Sequence, residues 1–314
     1  FLKSEIYKHQ KKFSDLESVY EQMIKDHTMT PLGYKGMMEI YLRNEDYHHA
    51  LIYGEKLFQI NPNIDKIYET LIQIIGKTKN WQQLINISKK AYKDKIIDKN
   101  IFNENTSIAY YEIAQIQKDN SYSDALKNIY KAIKLRENFS PYYLLLINLL
   151  IVNNDISRAK KEVKKLWKNN PNNQLIKPSL DIASLISKSP LLTSYDLVGQ
   201  NPQNHNAIEL LISASIEEKK WSKARYYIKP LLSQKPSKKV CEFMATIEKE
   251  ESNNIQISDS WKTRAEKGES ENIWICAITK LPQINWTSMS KGGYFNSLQW
   301  KKPLMLNRYM ETIN

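Results

Sequence analysis

The sequence has little glycine and almost no cysteine: of its 314 residues, 8 are glycine and 2 are cysteine. Glycine is needed at the tight turns of β-rich folds and in the phosphate loops of nucleotide-binding folds, so its scarcity argues against both classes. Two cysteines are too few for a disulfide framework or a four-cysteine zinc site. The abundance of lysine, leucine, isoleucine and glutamate instead favours α-helices.

The sequence also lacks an apolar run long enough to cross a membrane, which takes about 20 residues in a helix. The longest run, 142–152, is interrupted by Asn148, and we interpret it as a buried core helix. Because the sequence begins at Phe1 and not at a methionine, we expect a fragment or a processed form. An anchoring or targeting segment upstream of Phe1 is compatible with this expectation.

The net charge of +12 comes mostly from lysine, because only six of the 46 basic residues are arginine. Proteins that read nucleic acid usually carry arginine for bidentate contacts. Lysine, isoleucine and asparagine are all common, as in proteins encoded by A/T-rich genomes. We therefore interpret the charge mainly as composition on solvated faces. Attraction to anionic lipid, acidic proteins or nucleic acid is the alternative.

A pattern with a period of about 34 residues runs along most of the chain. In three segments a large residue stands three before an alanine, an apolar residue follows that alanine by seven, and a proline follows it by twelve. These spacings resemble the second helix of a tetratricopeptide (TPR) repeat. The residues that define the repeat are Tyr47, Ala50, Pro62, Ala125, Ala159, Pro171, Trp221, Ala224 and Pro236.

The same large position recurs through the rest of the chain. It is occupied in turn by Phe13, Tyr47 and Trp81, then, after an insertion of about seven residues, by Tyr122 and Ile156. A degenerate unit lies near Pro190. The position that is normally glycine or alanine in the first helix is bulky here, so the repeats are divergent. These bulky residues are Met38, Ile72, Ile113, Ile147 and Ile212.

The pattern predicts an all-α fold: a TPR-like α-α superhelical solenoid of about seven divergent helical hairpins over residues 1–251. Small alanines allow close helix approach, and proline ends the second helix. Since one hairpin cannot bury its apolar face, neighbouring hairpins must stack. Residues 252–314 are predicted to form a short helix and then a tryptophan-rich, ribbon-like tail.

The sequence shows no arrangement typical of a catalytic centre, and we predict a protein that is not an enzyme and has no cofactor or metal. None of the five histidines forms an H-x-x-x-H pattern, and no glycine-rich phosphate loop or G-x-S-x-G motif occurs. Adjacent His48 and His49 project about 100° apart on a helix, so we interpret them as solvated, with a haem-ligand role unsupported. Cys241 lies among apolar residues, as expected for core packing.

The tail contains two short knuckles separated by a tryptophan, which resembles the frame of a rubredoxin-like metal ribbon. Only Cys276 remains at the four ligand positions, and a zinc or iron site needs about four soft ligands. We therefore expect the aromatic residues to hold the tail against the last helices as a hydrophobic clasp. A docking surface is the alternative. The tail residues concerned are Trp274, Cys276, Trp286, Phe295, Trp300 and Pro303.

A TPR-like array joined to this tail resembles the bacterial HemY-type proteins over nearly the whole chain. A related lipopolysaccharide-assembly TPR protein keeps all four cysteines, which this sequence does not. The resemblance implies an anchor in the bacterial inner membrane through N-terminal hydrophobic segments. It also implies a soluble cytoplasmic TPR region and a scaffolding role in the later steps of haem synthesis. It supplies no catalytic residues.

We therefore predict a non-catalytic protein–protein interaction scaffold that organises haem-biosynthesis or envelope proteins. Two alternatives stay open. One is a basic solenoid that binds RNA or anionic lipid, which clustering of the lysines on one face would favour and even scatter would oppose. The other is direct binding of porphyrin or haem on an aromatic surface.

Overall fold

The protein is helical along most of its length. The computed structural model describes residues 13–199, 202–232 and 235–303. Fifteen α-helices lie in this part of the chain. In chain order they are α1 (Phe13–Lys25), α2 (Thr30–Arg43), α3 (Tyr47–Ile60), α4 (Ile67–Thr78), α5 (Trp81–Lys93), α6 (Lys99–Gln117), α7 (Tyr122–Leu135), α8 (Ser140–Val152), α9 (Ile156–Asn169), α10 (Ile176–Leu185), α11 (Pro190–Val198), α12 (His205–Glu217), α13 (Trp221–Leu232), α14 (Lys238–Glu250) and α15 (Ile255–Glu266).

After α1 the helices follow one another as seven consecutive pairs, from α2/α3 to α14/α15, and six of these pairs pack as hairpins. In the remaining pair, α6/α7, the Asn128 amide of α7 donates to Oε1 of Gln117 at 2.8 Å. The last four hairpins also pack on each other, with α9 against α11, α10 against α12, and α12 against α14. In this part of the chain, second helices therefore lie beside second helices, and first helices beside first helices. This arrangement confirms the predicted all-α fold of about seven helical hairpins.

The second helices begin at the large residues that mark the repeat. Tyr47, Trp81 and Ile156 are each the first helical residue, and a polar residue precedes each of them. The Asp46 carboxylate accepts a hydrogen bond from the third backbone N–H of α3, and the Asp155 carboxylate does the same in α9. These caps satisfy backbone donors that have no partner inside the helix, which is why the period of the sequence matches the helix starts.

The alanines of the repeat sit where two helices approach most closely. Ala50, Ala125, Ala159 and Ala224 are completely buried. Among the large residues at the helix starts, Trp81 is buried, whereas Tyr47 and Trp221 are half-buried. Pro62 and Pro171, after the helix ends, are half-buried, and Pro236 is buried.

The bulky residue that replaces glycine or alanine in the first helices is accommodated by a small residue elsewhere. Met38 of α2 is buried and faces Gly54 of α3. A Cβ at Gly54 would lie 3.0 Å from the Met38 sulfur and 2.8 Å from Cδ2 of Leu71, so there is no room for one. In this hairpin the small residue is Gly54 of the second helix, in place of a small residue in the first helix, and α2 and α3 still approach closely.

By their internal contacts the residues form two compact units. The first runs to Ile113 and includes Cys276–Leu281 and Thr287–Leu298. The second contains Ala114–Ile275, Pro282–Trp286 and the residues from Gln299 onward. The predicted boundary at residues 251 and 252 falls between α14 and α15, which form one hairpin inside the second unit.

A small three-stranded sheet follows the helices. Its strands are β1 (Ile273–Cys276), β2 (Pro282–Gln283) and β3 (Leu298–Lys301), in the order β2-β1-β3. β1 and β2 are antiparallel, with Trp274 opposite Gln283 and Ile275 opposite Pro282. Within the described residues, no helix combines the length and the apolar character that crossing a membrane requires.

Replacing Ala159 by leucine should lower the free energy of unfolding by about 1–3 kcal/mol, because the buried position in α9 has no room for a larger side chain. Urea unfolding followed by far-ultraviolet circular dichroism measures the change. Ser157→Leu introduces the same side chain at an exposed position of α9 and should change stability by no more than about 0.5 kcal/mol. Equal destabilisation by both variants would contradict the packing role of Ala159.

Candidate functional site

The tail is the part of the chain with the most distinctive chemistry, and most of its aromatic residues are buried. Trp274, Trp286 and Phe295 are each no more than 5% exposed, and Cys276 is completely buried. Trp300 and Pro303 are half-buried. The tail is therefore packed against the helices of each unit.

In the second unit, the two buried tryptophans contact the start of α8. The ring centroids of Trp274 and Trp286 lie 5.9 Å and 5.1 Å from that of Phe139, both in edge-to-face geometry. Trp286 also meets Tyr142 edge-on at 6.0 Å, and Trp300 lies 5.1 Å from Trp274. Edge-to-face pairs are favoured by the ring quadrupoles and add to the burial of apolar area. This aromatic cluster covers the first helix of the fourth hairpin.

In the first unit, another part of the tail lies on α4. The backbone N–H of Phe295 donates to Oε1 of Gln73 at 2.8 Å. The Phe295 ring lies 6.5 Å from that of Trp81 at the start of α5. Gly76 of α4 is buried under Met289, and a Cβ there would also lie only 3.4 Å from the Phe295 ring. The glycine thus lets the tail approach the helix backbone, as a larger residue would not.

A half-buried acid on α6 provides a further contact with the tail in the first unit. Burial raises the pKa of the Glu112 carboxyl, against the opposing effect of hydrogen bonds from the side chain and backbone of Ser288. These donors replace the part of its hydration that the carboxyl group has lost.

The tail therefore lies on first helices: on α4 and α6 in the first unit, and on α8 in the second. The expectation that its aromatic residues pack against the last helices is wrong. Only the segment before β1 approaches the last hairpin, where the Lys238 amide donates to the Glu269 carbonyl at 3.0 Å. The physical reason is that α8 offers an apolar face and α4 an apolar face that contains Gly76, and both need covering, whereas α14 already packs closely with α15.

Cys276, which in sequence resembles a ligand of a metal ribbon, lies in a pocket of hydroxyl groups. Its sulfur lies 3.3 Å from the Ser297 hydroxyl and 3.4 Å from the Thr279 amide, which donates to it. Burial raises the pKa of this thiol, but hydrogen bonds from Ser290, Ser297 and Thr279 outweigh it and lower the pKa to about 6. Hydroxyl groups thus surround the thiol where a metal ribbon would have further thiolates.

The other candidate residues from the sequence are dispersed. His49 is exposed, with Nδ1 2.7 Å from an Asp46 oxygen and its ring stacked on Tyr41. His205 lies 3.1 Å from buried Glu209. Burial raises the pKa of Cys241 in the core. Among the described residues, no three His, Cys, Asp or Glu side chains are placed to hold a metal; His9 lies outside these residues.

Sequence reasoning missed the residues that receive the tail, namely Gln73, Gly76 and Phe139. Gln73 and Phe139 carry no local pattern that distinguishes them from other helix-surface residues. Gly76 did carry a signal, because a glycine inside an otherwise regular helix often marks a close approach by another part of the chain.

Comparison with solved structures finds matches of low sequence identity. A tetratricopeptide repeat protein from Parabacteroides merdae is 13% identical, with a TM-score of 0.34, over 79% of this chain and 90% of that chain. Naa15/Naa10 bound to HypK-THB is 13% identical, with a TM-score of 0.44, over 84% of this chain and 42% of that chain. The human IFIT1 dimer with m7Gppp-AAAA is 11% identical, with a TM-score of 0.35, over 84% and 67%. No protein-family model and no curated protein matches the sequence.

Replacing Phe295 by alanine should loosen the tail on α4, because it removes the ring that lies against Trp81 and Gly76. Loss of a buried phenylalanine costs about 3–5 kcal/mol, enough to raise local opening by more than a hundredfold. Hydrogen exchange of residues 287–298, read by mass spectrometry, measures the change. Ile284→Ala, at a tail position that is 87% exposed, is the control. Unchanged protection in Phe295→Ala would show that this ring does not hold the tail.

The Cys276 thiol should ionise near pH 6 in the folded protein, as followed by thiolate absorbance in a Cys241→Ala background. Ser290→Ala removes one donor and should move the midpoint upward, toward the usual value of about 8.5. Because the folded-state pKa is lowered, the stabilisation is complete above about pH 8.5 and is lost as the pH falls through 6. A thiol that titrates near 8.5 in both proteins would exclude the hydrogen-bonded thiolate.

Proposed function

We propose that the protein is a non-catalytic interaction scaffold of the HemY type that organises haem-biosynthesis or other envelope proteins. The observation that carries the proposal is the packing of the tail onto the hairpin array. Trp274, Cys276, Trp286 and Phe295, which carry the resemblance to HemY-type proteins, are all buried in these contacts. Their burial supports a structural role for these four residues. The helix surfaces that the tail does not cover are then available to partner proteins.

The hairpin array supports an interaction role because stacked hairpins expose long, regular rows of side chains. Such rows can hold an extended or helical segment of another protein. From the same resemblance we infer an anchor in the bacterial inner membrane through N-terminal hydrophobic segments, with the hairpin array in the cytoplasm.

Direct porphyrin binding by the tail aromatics is disfavoured by their burial. A porphyrin needs an open aromatic face, and the rings of Trp274, Trp286 and Phe295 are already packed against Phe139, Tyr142 and Trp81. An absorbance titration with haem tests this directly. A Soret shift that saturates at one equivalent would favour a haem-binding function over the scaffold.

Affinity capture from the native host, with the chain as bait and a tail-loosened Phe295→Ala bait beside it, should enrich haem-pathway enzymes. Quantitative mass spectrometry against an unrelated helical-repeat bait gives the enrichment. Recovery of unrelated proteins alone would overturn the haem link and leave the scaffold function standing. Recovery of no specific protein under conditions where the bait is folded would overturn the scaffold function as well.

A further inference from the structure

Two second helices of the second unit, α7 and α9, carry lysine at the same positions of the repeat. Lys127, Lys131 and Lys134 of α7 are each followed 34 residues later by a lysine of α9, namely Lys161, Lys165 and Lys168. All six side chains are exposed. We call these six residues the lysine face. Lysine scattered by base composition alone would not keep one phase of the repeat in two successive helices.

In the fourth hairpin all the basic residues lie on the second helix, α9. α7 and α9 together hold nine lysines and arginines, whereas the first helices α8 and α12 hold none. In α7 and in α9 the three lysines lie in a stripe along one side of the helix, because spacings of three and four residues return to the same side. Each stripe is about 10 Å long at 1.5 Å per residue.

The two stripes lie on neighbouring helices. The Arg158 guanidinium of α9 donates to the Tyr130 hydroxyl of α7 at 3.0 Å, which joins the helices directly. On the other side of α9, Lys160 and Lys164 pair with Asp196 of α11. Those two lysines share one carboxylate, and we do not count them in the lysine face.

Most of the lysine face has no counter-charge of its own. Within the described residues, no carboxylate lies within 4 Å of Lys127, Lys134 or the three lysines of α9. Lys131 contacts Asn128. The acids nearby are used elsewhere, as Asp124 receives the Ser121 hydroxyl and Asp155 pairs with Arg158. Six like charges held on two adjacent helices repel one another, and an anionic partner would relieve that repulsion.

In two earlier hairpins the lysine at one of these repeat positions makes cation–π contacts within the fold. Lys56 and Lys90 occupy the position of Lys131 in α3 and α5. The Lys56 ammonium lies over the Tyr34 and Tyr53 rings, and Lys90 over Phe58, at 5.3 to 5.7 Å from the ring centres. These lysines have aromatic partners within the fold, whereas Lys165, at the same position of α9, has no aromatic or carboxylate partner among the described residues.

The chemistry of the face selects among anionic partners. A bound peptide would need apolar or aromatic anchor pockets, whereas the sequence neighbours of these lysines include Ser157, Asn128 and Tyr130, whose hydroxyl is already hydrogen-bonded. Single-stranded RNA would need aromatic stacking platforms or arginine forks. A lipid headgroup surface needs neither, because flexible lysines act on it as point charges, each worth about 1 kcal/mol near the surface.

We propose that the lysine face docks on the surface of an anionic phospholipid bilayer. Docking would hold the second helices against the headgroups without inserting any residue. It is independent of the haem-pathway proposal, since it rests on charge placement alone.

The test is co-sedimentation of the full 314-residue chain with vesicles of roughly one-third phosphatidylglycerol in phosphatidylcholine, and with pure phosphatidylcholine vesicles. The wild-type chain should bind the anionic vesicles only, and should dissociate near 1 M salt, where the Debye length falls to about 3 Å. The triple variant K161E/K165E/K168E should bind at least about tenfold more weakly.

The matched control is K188E/K223E/K249E, which makes the same charge change at exposed lysines of other helices and loops. It should keep most of the binding. Equal loss in both triple variants would overturn the proposal, because net charge and not this face would then drive binding. So would failure of the wild-type chain to bind, or binding of single-stranded RNA through these lysines without vesicle binding. Should the glutamate variant fail to fold by circular dichroism, K161Q/K165Q/K168Q replaces it.

Discussion

The rest of the structure depends on one constraint: a helical hairpin cannot bury its own apolar surface. The first helix α8 shows the constraint most strongly, because it is apolar on nearly every side and has Tyr142, Leu146 and Leu150 fully buried. Its neighbours α7, α9 and α10 cover part of that surface. Trp286 covers more of it at the helix start. The docking of the tail is therefore a consequence of the same need that makes the hairpins stack.

This need divides the array into faces with different chemistry. First helices such as α4 and α8 are apolar and are covered by the chain itself, so a partner segment meets the tail there before it meets a helix. Second helices such as α7 and α9 keep one buried stripe around Ala125 and Ala159 and expose a charged stripe on the opposite side. The separation follows from amphipathic periodicity, in which one stripe of a helix packs and the other is solvated.

The hairpins could be predicted from the sequence because their signals are local. A polar cap, a large residue and an alanine three positions later recur within a few residues of each other, as at Asp46, Tyr47 and Ala50. The position of the tail could not be predicted in this way. Phe295 and Gln73 are hydrogen-bonded although 222 residues separate them in sequence. No local sequence pattern at either residue predicts this contact. Which apolar helix the tail covers is decided by which helix remains uncovered, and that is a property of the whole fold.

The same argument explains how the small sheet of the tail is stabilised although the tail has a single cysteine. A small metal ribbon draws its folding free energy from the metal, because so few residues cannot bury a sufficient core. Here the tail gains that burial from the helices, through Trp274 and Trp286 on α8 and through Phe295 on α4. The hydroxyls around Cys276 satisfy its sulfur without a metal. The tail is buried against the array, and the start of α8 is covered by Trp274 and Trp286, so each stabilises the other.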